Sequence, residues 1–519
     1  MKKIFLLLFF IISIFYLLFP SRAFLGDDLF YASAIENNDL KGWIFHSSHL
    51  LYSFSWLPIY KLIKLVNPYI RSIYILTTLN SIVAVIGILL FYLMLKKITL
   101  DEKISLLSTF FLASSIGYWH QGTSAGVDTL EKLFLILCFF MLYKTTISDR
   151  KNDFLWMGIT TGIAILYLNA NILLIPIFLI TYLFYKKTFK KEIFIFISSA
   201  IFIVLIAYLF VIFKILKFKN IGEIARWLYP NCIKDYVTKE IYLSPFYNLY
   251  AQLRTIFSLE PIKNLILKKY TPDVLSGLFF LLCAGFLGIY ISIVFFRQFK
   301  TIYKNNRLLF LLSSSWIITY TLFFCWYSAG NMRFFVRNLI PLSICFGLLY
   351  LYSKRKKIYV LFVIFLFLGN FLGQILPYSN PKNTEELKFA EFIQKNITKD
   401  SLILMPATGE SNLSLILEYF YKIKIASLRY GLTRRKEEFK RLIEDYLILN
   451  KPVYVISDFK KVTSALVIKT EERRPEFSPE GKIFQDFLKE NNYRLSLIIE
   501  YKDTPNYSGN KIYRLIKNE

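Results

Sequence analysis

Runs of largely uncharged residues, each long enough to cross a bilayer, recur along this chain, and that feature decides most of what it can fold into. A hydrocarbon layer about 30 Å thick asks for about 20 apolar residues of helix at 1.5 Å per residue. Runs approaching that length occur at 4–19, 73–95, 104–119, 129–143, 154–168, 171–185, 193–215, 274–296, 308–327, 338–353 and 358–376. Within lipid every backbone N–H and C=O must bond inside the chain, which leaves the helix as the conformation for such runs. The expectation is a polytopic α-helical membrane protein of about eleven transmembrane helices. Composition agrees: 55% hydrophobic residues and a mean hydropathy of +0.46 over 519 residues exceed what a soluble chain carries.

The charge pattern orients the runs. Of the 63 Lys and Arg, against 36 Asp and Glu, many sit in short clusters between spans: Lys96–Lys103, 144–152, 186–191, 297–307 and 353–357. Under the positive-inside rule these clusters are cytoplasmic, the amino terminus with them. The polar "NAN" at 169–171 separates two short spans, because the basic flanks at 144–153 and 186–191 belong on one side. Loops 20–71 and 216–272 and everything beyond about 377 then fall outside the cytoplasm, in a protein of the plasma (inner) membrane. The net charge of +27 is explained by these clusters and by anionic lipid headgroups. No basic face interleaved with stacking aromatics points to nucleic acid. Ser21-Arg22-Ala23 loosely imitates a signal-cleavage site, but the apolar run before it is longer than a signal requires, favouring a retained anchor. The five cysteines form no C-x-x-C, so neither a disulfide framework nor a thiolate zinc site is indicated.

Residues 377–519 change character. "SLILMP", "IKIASL", "KPVYVISDF" and "YRLSLIIEY" read as strands; "TEELKFAEFIQKN", "NLSLILEYFYK", "RRKEEFKRLIEDYLIL" and "EGKIFQDFLKENN" read as amphipathic helices. The alternation predicts a soluble α/β domain at 377–519, following a membrane domain at 1–376. "PATGES" at 406–411 reads as a turn rather than a phosphate loop.

Ionisable residues gather beside span ends on the side away from the basic clusters. They are Asp27 and Asp28, His46 and His49, His120, Asp128 and Glu131, then Arg333 and Arg337. Such groups are expensive at a membrane border unless they line a wet cavity. Either acid of the Asp27/Asp28 pair suits a general base toward a hydroxyl or a metal ligand; one of them alternatively caps a helix starting at Leu29. His46 and His49, three apart, would share a helical face. They contact headgroups or a substrate hydroxyl, or ligate a divalent metal if the acids supply a third donor. Asp128 and Glu131 stand one turn apart at a helix amino end, where the dipole favours acids; a second acid site across a cavity is the alternative. Arg333 and Arg337, four apart, suit a phosphate or diphosphate, against the alternative of headgroup snorkelling.

Four stretches carry a likeness: "GDDLFYASAIENND", "HSSHLLYSFSWLPIYKLI", "HQGTSAGVDTLEKL" and "NMRFFVRNLIPLSICFGLLYLY". Together they resemble the GT-C superfamily of membrane glycosyltransferases. That superfamily includes the protein O-mannosyltransferases and the bacterial enzymes that add aminoarabinose to lipid A. The first stretch is an acidic pair after the first span, and the second is similar to an H-x-x-LY passage of some bacterial branches. The third is a short outer turn with an acid, and the fourth an Arg-aromatic-Pro entry to a late span. The superfamily's late Arg is often preceded by Glu, and here Met332 stands there.

The resemblance implies inverting transfer of a sugar from a polyprenyl-phosphate or diphosphate donor on the extracytoplasmic side, to a glycan, lipid or protein acceptor. It makes Asp27 or Asp28 the base, gives Arg333 and Arg337 the leaving lipid phosphate, and lets Asp128 position acceptor or metal. It also implies an extracytoplasmic carboxy-terminal domain. A transporter or flippase of a lipid-linked or anionic solute is the main alternative, although no internal repeat is evident. Another membrane-embedded polysaccharide polymerase or ligase is a further one.

Overall fold

The computed structural model describes residues 2–24, 26–40, 44–148, 150–228, 244–266, 272–406, 412–457, 481–503 and 509–518. "ATGES" within the 406–411 turn, Cys232, and the stretches 229–243 and 267–271 of the 216–272 loop lie outside the described residues. The chain divides into two compact units, Met1–Ser21 with Ala34–Ser379, and Arg22–Ser33 with Asn380–Glu519.

The first unit is helical. Seven described helical segments are long and apolar enough to cross a membrane: Ser72–Thr99, Asn169–Lys186, Glu192–Leu216, Leu275–Asn305, Arg307–Ser328, Met332–Tyr352 and Lys356–Ser379. The other four expected runs also fall on helices, at Lys2–Leu18, Glu102–Ser114, Asp128–Ser148 and Lys151–Tyr167. These are shorter or carry several charges. Many large apolar side chains point outward from the long segments, as in Phe202, Leu205 and Phe210, which is the surface lipid would cover. The chain is a multi-pass membrane protein.

Two departures from the sequence reading bear on function. The expected span 104–119 is broken: one helix ends at Ser114, Ser115 is extended (φ −71°, ψ 128°), and a second helix runs Ile116–Thr123. The break is stable because Asn370 Nδ2 donates to the freed Ser114 carbonyl at 2.8 Å, and the Ser115 hydroxyl donates to Phe111 O. Much of the presumed outer turn at 118–128 is therefore a short helix, buried at every residue. Second, His46 and His49 are not on a helix. They sit in turns, and the next helix begins at Tyr52.

The "NAN" separator explains that second departure. Leu168 is extended, a 3₁₀ turn follows at Asn169–Leu173, and the next helix starts at Leu174. Backbone groups released there hold the histidine turn. Leu51 N donates to Leu166 O at 3.3 Å and Asn169 N to Ser48 O at 3.3 Å. The Tyr208 hydroxyl donates to Ser47 O, and Trp227 Nε1 to Phe45 O at 2.9 Å. Asn169, a polar residue inside an apolar stretch, thus serves a neighbouring loop, as membrane proteins allow where backbone is buried in protein.

The second unit is α/β. Its strands are β1 (Leu402–Met405), β2 (Lys424–Ser427), β3 (Val453–Ile456), β4 (Tyr493–Glu500) and β5 (Lys511–Lys517), in the order β2-β1-β3-β5-β4. β1 runs parallel to β2 and β3, while β5 is antiparallel to β3 and β4. Every residue of β1 and β3 is buried, as strands covered on both faces require. Helices Lys436–Ile448 and Lys482–Glu490 close one face through Phe439, Ile443, Phe484 and Phe487. β5 was not anticipated; "KIYRLIK" alternates only loosely between buried and exposed positions. The same unit contains Arg22–Ser33. Phe24 is buried, its ring centroid 5.4 Å from that of Phe420, and a Cβ on Gly26 would lie 3.4 Å from Leu415.

Candidate active site

Helix Asp128–Ser148 opens with two acids and a lysine, and the segment Met332–Asn338 brings two arginines to them. Asp128, Glu131 and Lys132 are all buried. Arg333 Nε donates to Asp128 Oδ2 at 2.7 Å. Arg337 makes a two-pronged contact with Glu131, Nε to Oε1 at 2.6 Å and Nη2 to Oε2 at 2.9 Å. Its remaining N–H groups go to Asp128 Oδ1 (3.5 Å), Arg333 O (3.3 Å) and Phe334 O (3.1 Å). That accounts for all five donors of a guanidinium, and the Arg337 side chain is only 1% exposed. Arg333 is different: a quarter of its side chain remains accessible. The two arginines expected to act as a pair therefore have distinct surroundings, one saturated by protein and one reachable.

The segment carrying Arg333 is fixed by its neighbours. Asn331 caps the short helix Met332–Phe335, its Oδ1 accepting from Arg333 N at 3.1 Å. Gln121 Nε2 donates to Arg333 O at 3.0 Å, and Thr129 Oγ1 donates to Gln121 O at 2.6 Å. The loop leading into Asp128 is pinned in turn. Asn80 Nδ2 donates to Ser124 O at 2.8 Å and to Gly126 O at 3.0 Å, and the Tyr52 hydroxyl donates to Ala125 O at 2.6 Å.

Three residues that sequence reasoning missed complete the arrangement. Lys132 is buried, its Nζ has no hydrogen-bond partner, and it lies 5.7 Å from the centre of the Tyr118 ring. The cluster thus holds two acids (Asp128, Glu131) and two guanidiniums (Arg333, Arg337), with the Lys132 amine buried beside them. The other two, Asn80 and Gln121, donate to backbone carbonyls, Asn80 also to the Tyr52 hydroxyl at 3.1 Å, and no local motif announces such partners. Lys132 stood in plain view in "DTLEKL", four residues after Asp128 and so on its helical face.

The histidines occupy separate places. His46 and His49 stack, with ring centroids 5.9 Å apart and planes at 28°. His49 Nδ1 lies 2.9 Å from Tyr167 O; a carbonyl only accepts, so that nitrogen carries the proton. Removal from water, with Arg333 and His46 beside it, holds the His49 imidazole well below its ordinary value. His120 is buried, its Nδ1 3.1 Å from Ser21 Oγ. Burial, reinforced by Lys132, pushes it down to about 4. Both rings are therefore neutral in the folded chain near pH 7. Above about 6.5 neither the folded nor the unfolded chain protonates them, so nothing is lost there. As pH falls from about 6.5 toward 4 the unfolded chain takes up the proton first, and stability drops. Melting temperatures in detergent should fall across that window, and less steeply in His120→Gln.

Asp27 and Asp28 lie in the second unit. The helix begins at Gly26, so both acids are within its first turn rather than capping a helix from Leu29. Asp28 is buried and Asp27 partly exposed. Among the described residues no three His, Cys, Asp or Glu side chains come together as a metal site. The alternative in which His46, His49 and an acid ligate a metal is therefore not assembled among the described residues.

The whole architecture has a match among solved structures. ArnT from Cupriavidus metallidurans in the apo state superposes with a TM-score of 0.63, covering 99% of this chain and 97% of that one at 8% identity. The chain shares the fold of that ArnT. The same ArnT bound to undecaprenyl phosphate gives a TM-score of 0.62, also at 8% identity and with the same coverage. An Archaeoglobus fulgidus oligosaccharyltransferase in complex with Zn and sulfate gives 0.49 at 14% identity, covering 97% of this chain and 73% of that one. Residues 55–212 match the family model of the dolichyl-phosphate-mannose-protein mannosyltransferases. That stretch contains Asn80, His120, Asp128, Glu131 and Lys132. No curated protein matches the chain by sequence.

Proposed function

We propose that this protein is a GT-C glycosyltransferase that transfers a sugar from a polyprenyl-phosphate or diphosphate donor to an acceptor hydroxyl, with inversion, on the extracytoplasmic face of the plasma membrane. The observation carrying this reading is the partly accessible Arg333 guanidinium, held in place beside Asp128. A lipid-linked sugar leaves behind an anion at the membrane border, and a preorganised guanidinium in a water-poor site stabilises that charge as it develops. Arg333 has the required access, while Asp128 and Gln121 fix its orientation from two sides. Arg337 acts behind it, holding the carboxylates in place. The ArnT complex with undecaprenyl phosphate supports a polyprenyl-linked substrate. Asp27 or Asp28 takes the acceptor proton as the sugar's C1 bond to the phosphate oxygen breaks and the bond to the acceptor oxygen forms. His49, beside Arg333, and His120 help shape the substrate site, and the acceptor is a glycan, a lipid or a protein.

The direct test compares envelope lipids and glycans by mass spectrometry with and without the protein, followed by turnover of the product so identified. Arg333→Ala should lower kcat by about a hundredfold, the scale seen when one donor to a developing oxyanion is removed. Its melting temperature should fall less than that of Arg337→Ala, because Asp128 keeps a contact from Arg337 Nη2 at 3.5 Å and a quarter of the Arg333 side chain is already accessible. Unchanged products on deleting the protein would sink the transferase reading; unchanged turnover in Arg333→Ala would sink only the role of that residue.

A further inference from the structure

The expected cytoplasmic clusters converge in the structure on a feature that sugar transfer does not use. A cavity of about 630 Å³ opens where Thr99, Tyr143, Tyr185, Lys304, Arg307 and Leu351 come together, from segments that each border a basic cluster. It is remote from Arg333. Tyr143 lies fifteen residues along the helix from Asp128, about 22 Å at the α-helical rise.

We infer that this cavity binds the headgroup of an anionic bilayer phospholipid. Arg307 supplies the first argument. Its Nη2 donates to Phe184 O at 2.8 Å and its guanidinium lies 5.9 Å from the Tyr185 ring centre, but its Nε is buried with no hydrogen-bond partner. A buried charged donor in that state calls for an acceptor. The helix Arg307–Ser328 supplies the second. Asn306 gives it no side-chain cap and donates instead to the Tyr352 hydroxyl at 2.6 Å. The amides of Arg307, Leu308 and Leu309 therefore lack intrahelical partners where those residues line the cavity. Lys304 adds an exposed ammonium, and none of the lining residues is acidic. Isoleucine and leucine side chains complete the wall, which suits an acyl chain below a phosphate. Basic pockets between helices at the cation-rich end of a membrane protein are where anionic headgroups settle.

The test titrates the purified full-length protein in detergent with phosphatidylglycerol, phosphatidylcholine, undecaprenyl phosphate and inorganic phosphate, reading bound lipid by native mass spectrometry. Phosphatidylglycerol should bind in preference to phosphatidylcholine. Lys304→Gln/Arg307→Gln should weaken it about 25-fold, two cations each contributing about fivefold, and should leave undecaprenyl phosphate binding intact. Leu351→Trp keeps every charge but fills the cavity, and should also weaken phosphatidylglycerol. Equal binding by wild type and both variants would overturn the assignment. So would a loss in the charge variant alone, which would indicate surface attraction only, or a loss of undecaprenyl phosphate there, which would make this a donor site. Inorganic phosphate binding as tightly as the lipid would exclude a lipid ligand.

Discussion

Replacing both Asp27 and Asp28 with Asn should lower turnover by about 10²–10⁴, the span over which a positioned general base contributes, while the lipid donor still binds. A hydroxyl is a poor nucleophile until its proton has somewhere to go, and Asn keeps the size of Asp without the capacity to take that proton. The fold should survive. Both acids sit in the first turn of the helix from Gly26, where losing a negative charge costs roughly 0.3–1 kcal/mol at partly exposed Asp27 and more at buried Asp28. The measurement is a kcat for sugar transfer beside a binding isotherm for polyprenyl phosphate. Turnover within a factor of a few of wild type would remove these acids from the mechanism. Lost turnover together with lost donor binding would make them ligands of the donor rather than bases. The single variants then apportion the effect between a buried Asp28 and a partly exposed Asp27.

The helical membrane architecture was legible because its signal is long and redundant. Eleven apolar runs report the same physics, and an error in one leaves the rest standing. Four strands of the carboxy-terminal unit were legible for the same reason, whereas β5 is a charge-bearing segment, "KIYRLIK", whose alternation is weaker and whose place between β3 and β4 is set by pairing. The break at Ser115 could not be read from "LASSIGYWH", because what permits it is Asn370, over 250 residues away, reaching the Ser114 carbonyl. The histidine pair failed similarly. A spacing of three suggests a helix, but the turn is set by backbone bonds from Leu166 and Asn169 and by the Tyr208 hydroxyl.

At the site, residue types were informative and partnerships were not. Asp128, Glu131, Arg333 and Arg337 were all singled out, yet the acids were given capping or catalytic roles and both arginines a phosphate. The sequence holds no statement that Arg337 would be consumed by Glu131. An ion pair across more than 200 positions leaves no local trace, whereas the proximity of Lys132 to Asp128, four residues apart on one helix, did.

Arg337→Ala should destabilise the folded protein by about 3–5 kcal/mol, the cost of stripping one partner from a buried ion pair. Glu131 is 1% exposed and takes two bonds from Arg337 alone, so deleting the guanidinium strands a carboxylate in a low-dielectric interior. Protonating that acid recovers part of the loss and leaves the Arg333 and Phe334 carbonyls without their donor. Arg337→Lys should rescue little, since an ammonium cannot reproduce the planar two-pronged contact. Arg337→Met with Glu131→Leu should recover much of the stability, because apolar groups of similar volume often replace a buried pair without loss. Thermal melts of the four proteins in one detergent decide it. If Arg337→Ala melts with wild type while losing turnover as Arg333→Ala does, then Arg337 contacts the substrate and its division of labour with Arg333 is wrong. If the double apolar variant is stable but inactive, the acids contribute beyond holding Arg337, and Asp128, which still pairs with Arg333, becomes the next residue to substitute.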